Sequence, residues 1–95
     1  MFVVLLRFSN NRSQASRFLE GHKRWLDRGF DDGVFLLAGS IQPHQGGGLL
    51  ARHTTRQELL DRVNEDPFVA EDVVTAEIVE IAPSRMDQQL QSLLS

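Results

Sequence analysis

The chain has 95 residues and a formal net charge of -3, enough for one domain with a real core and too acidic to favour a nucleic-acid partner. It contains no cysteine, which excludes a disulfide framework, a thiol nucleophile and a thiolate metal site. No stretch reads as a membrane span, and the apolar start Met1–Arg7 is too short for a signal peptide and lacks a basic region; the expected setting is the cytoplasm, with no membrane partner.

Phe2–Phe8 reads as a buried strand, with Phe2, Val4, Leu6 and Phe8 on one face and Val3, Leu5 and Arg7 on the other. Both faces are largely apolar, so both should be covered. Ser9–Ser13 is a polar turn, with Asn11 and Gln14 at capping-box spacing. Gln14–Phe30 follows as an amphipathic helix whose inward stripe is Ala15, Phe18, Leu19, Trp25, Leu26 and Phe30. His22 follows Phe18 by four residues and Leu19 by three, and precedes Trp25 by three and Leu26 by four, so it points inward with the stripe. Gly29 and the Asp31-Asp32-Gly33 turn end the helix.

Val34–Ile41 is expected as a second strand, apolar on both faces as a central strand is. Pro43–Gly48 is a turn, and Gly48–Thr54 a third strand paired as a hairpin. Thr55–Glu65 is a second helix, capped by Thr54 or Thr55, with Leu59, Leu60 and Val63 inward. Pro67 disfavours helical geometry at Asp66, so the helix stops there. Val73–Ala82 is a fourth strand. Ser84–Leu94 is a short amphipathic helix with Met86, Leu90, Leu93 and Leu94 on one side, and Ser84 and Asp87 at capping-box spacing.

The order β-α-β-β-α-β defines an α+β class, the ferredoxin-like split βαβ, with a four-stranded antiparallel sheet and two helices on one face. One domain spans residues 1–95, its core within 1–82 and a C-terminal helix at 84–94. Only the tail remains to cover the second sheet face, which still carries Val3 and Leu5. An uncovered apolar face is a liability, and a homodimer packed sheet against sheet resolves it.

An imidazole in an apolar stripe needs a hydrogen-bond partner. The best candidate for His22 is Asp66, in Asp66-Pro67-Phe68. Together they would form a proton-transfer dyad in which the carboxylate orients the ring. Each also has a structural reading: His22 as a core histidine satisfied by a backbone carbonyl, Asp66 as a helix cap with Pro67 in the first turn. Capping and catalysis are compatible, because a carboxylate has several acceptor sites.

Ser40 offers a substrate a hydroxyl, or simply ends a strand. Arg7 and Arg52 could anchor a carboxylate, or pair with strand acids such as Glu77 and Glu80. Phe68 is a candidate substrate-binding wall, or docks on the core. His44 and His53 stand with His22 at no compact ligand spacing, so neither a metal nor a cofactor is expected. Gly46-Gly47-Gly48 lacks the Lys and Ser/Thr of a phosphate loop and falls in a hairpin. The third strand carries no aromatic side chain, against the RNA-binding domains that share this topology. The tail stripe is docking surface, too short and too poor in basic residues for a membrane anchor.

With these elements in order, the chain resembles the YciI-like (YCII-related) family of the dimeric α+β barrel superfamily. The residues that carry the resemblance are His22 in the first helix, Gly33-Val34-Phe35-Leu36-Leu37-Ala38-Gly39 in the second strand and Asp66-Pro67-Phe68-Val69-Ala70 after the second helix. The resemblance runs from about Met1 to Ala82. It implies a ferredoxin-like subunit, a homodimer and a His22–Asp66 active site; some relatives act on small cyclic or aromatic compounds, including by dehalogenation. The chain departs from the pattern in two places. Gly39-Ser40 stands where many members have Gly-Pro, and Leu19 stands where many have an Arg three residues before the His, which removes an anchor for an anionic substrate.

The expected function is therefore proton transfer on a small cyclic or aromatic molecule, by isomerisation, elimination or lyase-type chemistry, with His22 as general base or acid. Two alternatives stand beside it: a non-catalytic ligand-binding or regulatory module on the same fold, and a cofactor-free oxygenase, for which no distinctive residue is present.

Overall fold

The computed structural model describes Met1–Ser95. Its elements are β1 (Phe2–Phe8), α1 (Ala15–Asp31), β2 (Phe35–Ile41), β3 (Gly46–Ala51), α2 (Arg56–Asn64), α3 (Pro67–Ala70), β4 (Val74–Glu80) and α4 (Gln88–Leu94). The four strands form one antiparallel sheet in the order β2-β3-β1-β4, the ferredoxin-like arrangement.

Strand alternation sorts the side chains of β1 as expected. Phe2, Val4 and Leu6 are buried and face the helices, while Val3, Leu5 and Arg7 face the other way. On the helix side, Trp25 of α1, Leu59 and Val63 of α2, and Phe68 of α3 join Phe35, Leu49, Ala51, Val73 and Val74 in a single core. Trp25 is almost fully buried, and its indole N–H donates to the Arg62 carbonyl at 2.8 Å, which ties α1 to α2.

Several local expectations fail. β2 is an edge strand, not a central one, so Leu37 is half exposed although its sequence is apolar on both faces. The glycine run is not a turn: β3 begins at Gly46 and ends at Ala51, shifted towards the hairpin. Asn11 and Gln14 make no capping box, because a short 3₁₀ turn at Arg12–Gln14 precedes α1 and the Asn11 amide donates instead to the Glu71 carbonyl at 2.8 Å. Leu19, Phe30 and Leu60 lie at the margins of their helical stripes and are exposed. Asp87, not Ser84, caps the last helix, accepting from Gln89 N–H at 2.9 Å. The expected cap of α2 does form: Thr55 and Glu58 make a reciprocal capping box.

Gly29 does not end α1. The helix continues to Asp31 and closes at Gly33, where φ is +74° and the N–H groups of Gly33 and Val34 bond back to Phe30 and Gly29. Gly29 is instead a packing position. A Cβ there would stand 2.1 Å from ring carbons of Phe35, which is buried and held edge-on against Trp25. Alanine gains about 1 kcal/mol of helix propensity, but overpacking of a closed core costs about 1–3 kcal/mol and wins. Gly29→Ala is expected to lower the melting temperature by several degrees; a melting temperature at or above wild type would show that Phe35 can yield.

Candidate active site

His22 occupies the middle of α1 and faces the core side of the sheet; Asp66 lies between α2 and α3. Their meeting follows from three local features. Val63 anchors the end of α2, Pro67 stops helical geometry at Asp66, and Gly21 has no side chain to hold α3 away. A Cβ on Gly21 would sit 3.0 Å from the Pro67 ring. The glycine that permits this close approach escaped the sequence reading; its signal was its place beside His22.

His22 Nδ1 and Asp66 Oδ1 are 2.9 Å apart. A carboxylate only accepts, so Nδ1 carries the proton and donates. The same Oδ1 accepts the Phe68 N–H at 3.0 Å, so Asp66 caps α3 and orients His22 with a single oxygen. Asp66 is fully buried, and its Oδ2 has no protein partner. Buried charge is costly unless paired, so the two donors on Oδ1 carry its compensation. The imidazole is stacked on Phe68, with centroids 4.1 Å apart and planes 6° from parallel. That stack and the Nδ1 bond together fix the ring.

With Nδ1 committed, Nε2 is the ring nitrogen left for chemistry. It has no protein partner and is not sealed from solvent; the side chain retains 15% exposure. His22 lines a cavity of about 200 Å³ between α1, α3 and the helix-facing side of the sheet. Ser40 and Phe68 line the same cavity, together with Leu6, Phe8, Leu19, Val74, Gly46 and Gly47. The Ser40 hydroxyl is not engaged by the protein. No charged side chain other than a protonated His22 reaches the wall.

The two candidate arginines are elsewhere. Arg7 lies on the opposite sheet face and pairs with Glu77 at 3.0 Å. Arg52 donates to the Gly33 carbonyl at 3.3 Å and to the Leu93 carbonyl, which fastens the end of α4 to the body. Neither is brought to His22. His44 and His53 are exposed, and no three His, Asp or Glu side chains are grouped for a metal.

The fold defines a class: a ferredoxin-like α+β subunit, carrying a histidine–carboxylate pair at the edge of a small apolar cavity. No family model matches the chain, and no curated protein sequence matches it. Among solved structures, the chain is similar to 5-chloro-2-hydroxyhydroquinone dehydrochlorinase (TftG) from Burkholderia phenoliruptrix AC1100, in complex with 2,5-dihydroxybenzoquinone. The TM-score is 0.69 and the identity 13%, covering 86% of this chain and 94% of that one. At that identity the likeness is one of fold. No helix is long and apolar enough to cross a membrane.

Proposed function

We propose that the protein is a small-molecule enzyme of YciI-like type, in which His22 moves a proton on an uncharged cyclic or aromatic substrate. The observation that carries this reading is the 2.9 Å His22–Asp66 bond, which leaves Nε2 free at the rim of a cavity. A general base needs a fixed tautomer and reach to its proton, and Asp66 supplies the first. In the proposed step Nε2 takes a proton from a C–H or O–H of the substrate, and the electron pair of that bond becomes a new π bond. Either a leaving group such as chloride then departs with its bonding pair, or a proton returns at another carbon. Neither course consumes an oxidant. The imidazolium formed is balanced by the Asp66 carboxylate. The structural neighbour is named as a dehydrochlorinase, which supports testing elimination first among these chemistries.

Leu19 in the cavity wall, and arginines turned elsewhere, favour a substrate without a carboxylate. The Ser40 hydroxyl is suited to a substrate hydroxyl or carbonyl. The enzyme is further read as a homodimer, because Leu37, Leu50, Val3 and Val79 form a row across all four strands on the face the helices leave open.

The test is incubation with chlorinated and unchlorinated hydroquinones and with lactones, following chloride release and deuterium uptake from heavy water. Catalysed release or exchange is expected for at least one ring. If rings raise the melting temperature, as bound ligands do, yet none is turned over or exchanged, the protein is a binding module instead.

A further inference from the structure

The glycine run Gly46-Gly47-Gly48 is neither a phosphate loop nor a turn, and its members differ in what they do. Gly46 has a φ of +131°, and a Cβ there would meet the Leu6 carbonyl oxygen inside any contact distance, so the backbone itself requires glycine. Gly48 faces the open side of the sheet beside Leu5, where a Cβ would make only ordinary contacts. Gly47 is the unexplained one. Its φ is not in the left-handed region, and a Cβ there would have one neighbour within 4 Å, the Gly39 carbonyl oxygen at 3.4 Å. Neither backbone geometry nor close packing requires a glycine at this position.

Register shows what the missing side chain does. Gly47 pairs with Leu6 on one side and Ser40 on the other, and directly paired residues share a sheet face. All three line the cavity that holds His22. A side chain on Gly47 would project from the sheet into the cavity that His22 also lines.

We propose that Gly47 is the specificity-determining residue of the site: its absent side chain creates room in the cavity that His22 lines and limits the substrate to a single ring. The cavity of about 200 Å³ compares with the engineered apolar cavity of about 150 Å³ that binds benzene. One ring with small substituents fits within it, whereas the second ring of a fused bicycle would extend past its open side. The ring-size limit rests on the catalytic reading above, whereas the role of Gly47 as gate to His22 stands on geometry alone.

Two measurements separate these parts. Diethylpyrocarbonate acylates reachable imidazole nitrogens whatever the natural substrate, and the exposed His44 and His53 serve as internal references. Site-resolved mass spectrometry should show His22 labelled in wild type and slowed about tenfold or more in Gly47→Val, with the references unchanged; Gly48→Ala should label as wild type. Binding of hydroquinone, read by calorimetry, should weaken by about tenfold or more even in Gly47→Ala, the discrimination that one added carbon commands in a fitted pocket. Gly47→Ala also covers the case in which the valine variant does not fold, since its Cβ displaces no backbone. His22 labelled at the wild-type rate in the folded Gly47 variants overturns the proposal. Protection of His22 in a protein whose wild type binds no hydroquinone supports Gly47 as the gate and overturns the single-ring substrate. Equal affinity of wild type for naphthalene-1,4-diol and hydroquinone overturns the ring-size limit while leaving the dyad standing.

Discussion

His22→Asn is expected to reduce turnover by about 10²–10⁴-fold, the contribution of a positioned acid–base group, while leaving the fold nearly intact. The asparagine amide can still donate to Asp66 Oδ1, so the buried carboxylate keeps a partner, but it cannot shuttle a proton near neutral pH. Asp66→Asn provides the complementary test. Oδ1 of the asparagine can accept the Phe68 N–H and the His22 Nδ1–H as before, and its amide nitrogen takes the place of an oxygen that already lacks a partner. Asparagine caps a helix about as well as aspartate. Stability should therefore change little, while the rate falls by between about 10-fold and about 10⁴-fold because the imidazolium loses its counter-charge. Melting temperature and activity measured on the same two variants decide between roles. A purely structural His22 predicts a different pattern: whatever the change in melting temperature, activity is retained in the folded fraction.

Leu50→Glu is expected to convert a dimer into a monomer. Leu50 pairs with Val3 and Leu37, and Val79 completes the row across the sheet. Val79 and Leu37 are exposed in the single chain, as is Ile81 beyond the end of β4. Two sheets meeting there would bury more than about 1,000 Å² in total, the area a specific interface requires. A glutamate at the centre would be buried without a partner, at about 3–5 kcal/mol, which weakens association by more than about 100-fold. Sedimentation velocity at micromolar concentration measures this directly. A wild-type chain that sediments as a monomer would end the dimer proposal. A glutamate variant that stays dimeric would place the interface elsewhere.

The two halves of the candidate site were legible to different degrees. His22 could be placed because helical spacing fixes its direction relative to Phe18, Leu19, Trp25 and Leu26. Asp66 could be located because proline restricts the residue before it. Ser40 and Phe68 do line one cavity with His22. Arg7 and Arg52 were offered as anchors because they are cations on expected strands; strand alternation already turned Arg7 to the face of Val3 and Leu5, away from His22, and Arg52 falls just past the end of β3, where it binds backbone carbonyls. The edge position of β2 was also hidden, since apolar residues on both faces look alike whether a neighbouring strand or a second subunit covers them.

The sequence by itself determined the order of elements, the period of each, the caps at Thr55 and Asp66, and the inward direction of His22. These are local properties, set by backbone sterics and by side-chain spacing within a few residues. Only the tertiary structure decided what meets what. Strand register put Gly47 between Leu6 and Ser40, the close approach of Pro67 to Gly21 brought Asp66 to His22, and sheet order left one apolar face open. Such contacts join residues far apart in the chain, 44 positions for the His22–Asp66 pair. They arise from the shape-filling of one shared core, which is a property of all the packed elements together and of no segment alone.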